Sequence, residues 1–550
     1  MDRRTILAIG LMLIVALLPS IFLAPERAAR RATPGSADTA ATADSTGVAE
    51  DVVAPPPQID TATVEAPPPD TSQAGTVVTV ESPIYRFEFS NRGARITAAT
   101  LFEYETFAPG DSGPAQLLPP ESRFLDYRLV FGNDTLPLRD WTFVPSVERL
   151  DVRDGAETLE WTARRGGAEI RLRYTFRPDQ YLFDVAGEFR GIAPRGLVLI
   201  GLGPRLAFVE ADSTEDFREY GVVTKTSKTE SLAFRSLDPG ERRELAGPFE
   251  WVAVKSKYFV QAVMILEDGA PRLGGAVAVG GARVWKDGIS ADIVASLPAP
   301  GGAFGHAVYL GPQEYRRLAQ IGHDFEDVKP YGWILRPVIR PFANLIVQVL
   351  LWMHETLSLE YGWVLILFGI AVRIVLWPLN QKAMRSSVAM QAVQPEIKAI
   401  QERYKNDPPK LQQEMMKLYK EHGVNPLGGC LPLLIPMPVL FALFFVFRET
   451  IEFRGVPFLW LPDLSRPDPY YIIPILMGLS MFAVSKIGQM GVPPNPQMKM
   501  MLYFMPGFLT LLFLRFSSGL NLYYAVSNIA SIPQQWLVAR ERLKRLGKTG

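Results

Sequence analysis

The sequence predicts a polytopic α-helical membrane protein carrying a large all-β domain outside the bilayer. Three observations lead there. Long apolar runs crowd the two ends of the chain, one at Thr5–Leu23 and five more after residue 361. Between residues 80 and 325 the pattern becomes short segments that alternate with period two, as half-buried strands do. The net charge is zero, from 57 Lys+Arg against 57 Asp+Glu, yet that zero is a sum of opposed blocks. Residues 1–31 hold 5 basic and 2 acidic groups (+3), and 32–79 hold 7 acidic and no basic ones (−7). Residues 80–330 hold 30 against 36 (−6), and 331–550 hold 22 against 12 (+10).

These numbers exclude several classes. At 550 residues the chain exceeds one ordinary domain. A neutral total rules out a uniformly basic nucleic-acid binder, and no specific nucleic-acid partner is expected. Cys430 is the sole cysteine, so there is neither an intramolecular disulfide framework nor a cysteine-cluster zinc site. The four histidines, at 306, 323, 354 and 422, are scattered, which argues against a His-rich metal site. No metal or cofactor is expected.

The run Thr5–Leu23 follows Arg3 and Arg4 and is long enough to cross the hydrocarbon core. A cleaved signal peptide is the alternative. The length of the run and the lack of a clear small-x-small cleavage site favour an uncleaved anchor over residues 1–31. Residues 32–79 follow, rich in Ala, Pro, Thr and Asp, with two PPP runs at Pro55–Pro57 and Pro67–Pro69. This composition cannot build a core and reads as a disordered linker.

The segment 80–325 reads as an antiparallel β-sandwich. Tyr85-Arg86-Phe87-Glu88-Phe89 and Ile170-Arg171-Leu172-Arg173-Tyr174-Thr175-Phe176 each send alternate residues to one face, and Gly132-Asn133-Asp134 marks a turn. Gly201-Leu202-Gly203 lacks the third glycine of a dinucleotide fingerprint, and His354-Glu355 lacks a second histidine at helical spacing.

Residues 326–360 read as an interfacial amphipathic segment, because Phe342–Leu357 mixes bulky apolar residues with Asn344, Gln348 and His354. Five spans are predicted over 361–540: Gly362–Leu379, Leu431–Phe447, Tyr471–Ile487, Met501–Phe516 and Leu520–Val538. Spans three to five are short, and as helices reach about 25 Å against a core of about 30 Å. Prolines 432, 436, 438, 474 and 506 interrupt them. Between spans two and three, 382–424 reads as a cytoplasmic helical hairpin. Pro395-Glu396 and Asp407-Pro408 are helix starts, with apolar seams at Ala389, Val393, Ile397, Ile400, Tyr404 and at Leu411, Met415, Leu418, His422. The outer face of this hairpin presents Lys398, Arg403, Lys410 and Lys417. The excess of Lys and Arg in 382–426 and in the basic tail 541–550 puts those segments and both termini in the cytoplasm. Residues 80–325 then lie across the membrane, in the periplasm of a double-membraned bacterium.

Arg373 is the sharpest single feature. It sits mid-span, in Val364-Leu365-Ile366-Leu367-Phe368-Gly369-Ile370-Ala371-Val372-Arg373-Ile374-Val375-Leu376-Trp377, where an arginine costs roughly 2.5–3.5 kcal/mol or more. No Asp or Glu lies in the other predicted spans. A snorkelling or structural arginine is one reading. A charge facing a water-filled cavity, partnered by an acidic group from outside the chain, is the other and the favoured one.

Three motifs then become specific. Asn425-Pro426-Leu427-Gly428-Gly429-Cys430-Leu431-Pro432, Asp468-Pro469-Tyr470-Tyr471-Ile472-Ile473-Pro474-Ile475-Leu476-Met477-Gly478 and Ser518-Gly519-Leu520-Asn521-Leu522-Tyr523-Tyr524 resemble the YidC/Oxa/Alb insertase family. So does Arg373 with Trp377-Pro378-Leu379 following it. Asn91-Arg92-Gly93-Ala94 after a strand resembles the periplasmic domain of Gram-negative members more loosely. The resemblance implies a membrane protein insertase and chaperone of the bacterial inner membrane, not an enzyme. It implies six transmembrane helices, five of them forming a core, and a β-supersandwich at 80–325. Substrate would enter a hydrophilic groove at Arg373, Tyr524, Phe516 and Met477. The implied partners are nascent membrane proteins, the Sec translocon, the bilayer and, more weakly, the ribosome and the signal-recognition-particle receptor. Two positions depart from the family pattern: Gly369 stands where members often have Thr, and Pro436 where they often have Gln. A small-molecule transporter and an anchored carbohydrate-binding protein remain as alternatives. The first lacks an internal repeat, and the second leaves Arg373 and the hairpin without purpose.

Overall fold

The computed structural model describes residues 75–131, 134–191, 195–284, 288–329, 336–423, 437–491 and 496–545. All of them belong to one compact unit that begins at Val64. The predicted anchor, the linker up to residue 74, the start of span three with its Asn425–Pro432 motif, and Pro436 lie outside the described residues.

Strands begin at Val77 and end at Pro312, so the β domain starts slightly before the predicted residue 80. It is more elaborate than a two-sheet sandwich: three sheets of 5, 9 and 6 strands share one core. Pairing is antiparallel apart from Val77–Glu81, which runs parallel to Arg149–Asp151. The alternation read from the sequence is what builds the core. In the strand Ala168–Phe176, Ile170, Leu172, Tyr174 and Phe176 are buried while Arg171 and Arg173 face out. In Tyr85–Ser90 the buried face is Tyr85, Phe87 and Phe89. These aromatics interlock: the Phe89 and Tyr174 ring centroids are 5.1 Å apart, and those of Phe176 and Phe183 are 5.0 Å apart. The Asn91–Ala94 motif is a crossing point. Gly93 has φ +78°, and a Cβ there would lie 2.9 Å from the Arg139 Cα, so only glycine fits. A short helix, α1 (Ser213–Glu219), is capped by Asp212, whose carboxylate accepts from the Glu215 amide.

The chain leaves the β domain through α2 (Tyr315–Ile321) and a 3-10 turn at Phe325–Val328. The predicted segment 326–360 therefore holds that turn and one helix, α3 (Arg336–Leu357). One face of α3 buries Ile339, Ala343, Ile346, Val347 and Leu350, while Phe342, Leu345 and Trp352 stay exposed on another, as suits a helix lying at an apolar surface.

Next comes α4 (Tyr361–Ala392), whose stretch Tyr361–Ser386 is long and apolar enough to cross a membrane. Among the described residues it is the one such helix, so six spans are not established by length and composition. α4 also runs past the predicted span end at Leu379, so Ala389 of the predicted seam belongs to α4, while the first hairpin helix, α5 (Gln394–Arg403), starts within one residue of the predicted Pro395-Glu396. The second, α6 (Pro408–Glu421), starts as predicted: the Asp407 carboxylate accepts from the Lys410 amide at 3.2 Å. His422 sits at its C-cap and reaches Glu396 on α5 at 3.4 Å. The core continues with α7 (Met437–Glu449), α8 (Ile472–Gly488), α9 (Pro496–Phe513) and α10 (Ser518–Arg545). α8 has 17 residues and spans about 25 Å.

Candidate functional site

Arg373 lies 12 residues into α4, about 18 Å from its start (373 − 361 = 12). The buried stripe of α4 runs through Val364, Leu365, Phe368 and Gly369, while Ile374 and Val375 are 65% and 73% exposed. Arg373 falls at the edge of that stripe and is half-buried. Its Nε donates to both the hydroxyl and the carbonyl of Ser527 on α10, at 2.8 and 3.0 Å. Among the described residues no carboxylate forms an ion pair with it.

A ladder of contacts joins α4 to α10 around this point. One turn before Arg373, a Cβ on Gly369 would lie 3.3 Å from Val526 and 3.5 Å from Tyr523. One turn after it, the Trp377 carbonyl accepts from Gln534 Nε2 at 2.9 Å. Gly369 thus faces α10, and a Cβ there would need the Val526 side chain to give by a few tenths of an ångström. On the other side of α10, Asn528 donates to the Ser480 hydroxyl at 3.3 Å, and Ser480 donates to the Met477 carbonyl at 2.7 Å.

The predicted groove residues divide. Tyr524 lies less than one turn before Ser527 on α10, with its ring against Tyr523 and Phe513 at 5.5 Å each. Its hydroxyl is buried without a hydrogen-bond partner. Phe516 packs between Phe444 and Phe513 at 5.4 and 4.9 Å. Met477 is only 3% exposed, so its side chain is packed among helices and lines no open surface here. Ser527, Asn528 and Gln534, which carry these interhelical bonds, were not among the residues expected at the site. The available signal was their recurrence along one apolar span, visible once charge is not the sole criterion.

The hairpin charges Lys398, Arg403, Lys410 and Lys417 are all exposed. Arg403 and Lys410 stand over the Tyr404 ring at 6.0 and 5.3 Å, so two of the four brace the hairpin tip.

Two of the motifs that carried the resemblance, at Asp468–Gly478 and Ser518–Tyr524, build the turns joining the helices at the β-domain end. The Asp468 carboxylate accepts from the amides of Tyr470 and Ile473, at 3.0 and 2.8 Å, capping α8. The Ser518 and Gly519 amides donate to the carbonyls of Arg466 and Leu464, at 2.7 and 2.9 Å, which fixes the start of α10. The β domain grips the same end. Arg448 meets Glu219 at 2.8 Å and Glu215 at 3.7 Å. Arg454 meets Glu210 at 2.8 Å and lies 4.3 Å from the Phe107 ring. Lys329 donates to the Glu449 carbonyl at 3.0 Å, and the Tyr315 amide donates to Glu452 at 3.0 Å. Burial drives the Glu210 and Glu452 carboxyls above their ordinary pKa and the Lys329 amine below its own.

A three-sheet β domain bonded to short apolar helices, with one arginine held mid-helix, defines a membrane-embedded protein of the kind that carries a folded domain at one end of its helices. Residues 77–346 match the family described as YidC periplasmic domain, and residues 352–545 match the one described as 60Kd inner membrane protein. A membrane protein insertase YidC of Chlorobaculum parvum is 33% identical over 84% of this chain and 81% of its own. One of Aromatoleum aromaticum is 30% identical over 98% of both chains. Among solved structures, an active YidC insertase with the first transmembrane domain resolved covers 84% of this chain and 93% of its own, at 18% identity and a TM-score of 0.35. The chain belongs to the YidC membrane protein insertase family.

Proposed function

We propose that the protein inserts membrane proteins into the bacterial inner membrane and helps them fold, alone or with the Sec translocon, without bond chemistry. The observation that carries this reading is Arg373 in the middle of α4, anchored through Nε to Ser527 and lacking a carboxylate partner among the described residues. A half-buried charge in an apolar helix without a counter-ion favours an acidic group supplied by a substrate. That substrate's hydrated segment would reach Arg373 from the cytoplasm while its apolar segment moves into lipid along spans three and five, at α7 and α9. The short α8 favours local thinning of the bilayer, which lowers the barrier for polar residues. Six spans, cytoplasmic termini and a periplasmic β domain complete the topology. The exposed hairpin charges offer a docking face for the ribosome and the signal-recognition-particle receptor.

The test is photo-crosslinking from positions 373 and 524 to a stalled nascent membrane protein. Crosslinks along its translocated segment are expected. Labelling from exposed Ile374 and Val375 alone would overturn the groove. In a depletion strain, Arg373→Ala should impair insertion of substrates with acidic translocated segments, while Arg373→Lys retains much of it. Full activity of the alanine variant on those substrates would remove the role of the charge.

A further inference from the structure

We infer that Ser527 is a positioning residue for Arg373, and that together they present the guanidinium to a side-chain carboxylate of the substrate; this rests on the groove reading above. An arginine has five N–H donors in a rigid planar fork. The Nε–H is taken by the Ser527 hydroxyl at 2.8 Å and its carbonyl at 3.0 Å. Fixing Nε fixes the plane of the whole group, which leaves the two terminal nitrogens to meet a carboxylate by parallel hydrogen bonds. A flexible four-torsion side chain would otherwise sample many directions, and holding it in one conformation beforehand removes that cost from binding.

Ser527 is suited to this task because it cannot itself move. It is 3% exposed, and its helix is bonded on both sides of it. The neighbouring Asn528 donates to Ser480 on α8, and Gln534 donates to the Trp377 carbonyl on α4. Gly369, one turn before Arg373, lies against Val526 and Tyr523 of α10. Hydroxyl and carbonyl dipoles together also offset part of the arginine's charge in an apolar setting without neutralising it. A carboxylate in the place of Ser527 would have satisfied the charge and left nothing for a substrate. A serine holds the arginine and leaves its net charge intact.

The experiment compares two substrates that differ only by Asp against Asn in the translocated segment, and reads the ratio of their insertion rates in the full-length protein. A general folding defect lowers both rates and leaves the ratio alone. Ser527→Ala should lower the Asp/Asn ratio about three- to tenfold, the range for losing one ordinary intramolecular hydrogen bond, because Nε keeps its backbone acceptor. Ser527→Thr, which keeps the hydroxyl, should restore it. In an Arg373→Lys background, which has no Nε, Ser527→Ala should change the ratio less than twofold. An unchanged ratio in Ser527→Ala, with Arg373→Ala abolishing the preference, overturns the role of Ser527 and spares the groove reading. If Arg373→Ala also keeps the full preference, the groove reading itself falls. An equal drop from Ser527→Ala in the wild-type and Arg373→Lys backgrounds would show that the serine acts through packing, and overturns the inference. Should Ser527→Ala accumulate poorly, Ser527→Cys, which keeps the volume and weakens the hydrogen bond, is read by the same ratio.

Discussion

The Arg454 guanidinium donates from Nε to Glu210 across 2.8 Å, joining residues 244 positions apart in the chain. The Arg454 side chain is 3% exposed and that of Glu210 11%. The arginine also donates to the carbonyls of Glu105 and Val209, at 2.8 and 3.3 Å. This is a desolvated ion pair with its remaining hydrogen bonds satisfied, the arrangement in which such a pair withstands burial. It ties the segment between α7 and α8 to the β domain.

Removing one partner strands the other charge. Arg454→Met should destabilise the protein by about 3–5 kcal/mol, and Glu210→Gln by somewhat less, because an amide can still accept a hydrogen bond. The double variant Glu210→Leu with Arg454→Met should recover much of the loss. Chemical denaturation in detergent, with proteolysis of residues 450–466 as a second readout, measures all three. Additive losses in the double variant would show that the two do not act as a pair.

Two buried groups give the β domain opposite pH responses. Burial, reinforced by the Glu210 charge, pushes Asp216 from 3.8 up to about 7. The folded state keeps that proton longer than the unfolded chain, so this contribution is full below pH 3.8 and declines as pH rises towards 7. Asp216→Asn should abolish the decline. Burial pushes His306, bonded to the Tyr127 hydroxyl at 3.0 Å, from 6.5 down to about 4. Its contribution is full above pH 6.5 and is lost as pH falls towards 4, and His306→Gln should remove that loss. Denaturation midpoints of wild type and variants between about pH 4 and 7.5 decide both. A variant with the wild-type slope refutes the assignment for that residue.

The α8–α9 contact has little slack. A Cβ on Gly478 would fall 1.9 Å from the Thr510 hydroxyl oxygen, which is itself held by the Pro506 carbonyl at 2.7 Å. Gly478→Ala should cost about 1–3 kcal/mol through overpacking. Adding Thr510→Ala should return most of it. Thermal aggregation temperatures in detergent would show the rescue, and no difference between the single and double variants would place the strain elsewhere.

For the hairpin, Asp407→Ala removes the cap on the Lys410 amide and should loosen α6 by about 1 kcal/mol. Deleting 396–421 should leave the membrane helices folded and abolish insertion. Hydrogen exchange across α6 checks the first outcome and substrate protease protection the second. Normal insertion after the deletion would make the hairpin purely structural.

The strand Ala168–Phe176, the helix start at Asp407 and the mid-helix position of Arg373 were all legible in the sequence. Each depends on local periodicity, capping chemistry or hydropathy, which neighbouring residues encode. The length of α4 was underestimated, because its polar end from Gln381 onward continues the helix without an apolar signature. Nothing in the neighbouring residues marks Arg448 and Arg454, which pair with carboxylates of the β domain. Met477 is 3% exposed, a packing that its neighbours in sequence do not encode.

A β domain, apolar helices and one arginine without an acidic residue in the other predicted spans are all written in the order of neighbouring residues. That Ser527 holds Arg373 from 154 residues away, that Glu210 receives Arg454, and that Gly478 marks a close approach emerge only from the folded chain. The reason is physical. Hydropathy and periodicity are carried by adjacent side chains, whereas a hydrogen bond between distant residues exists only once topology and helix packing have brought two particular atoms within about 3 Å.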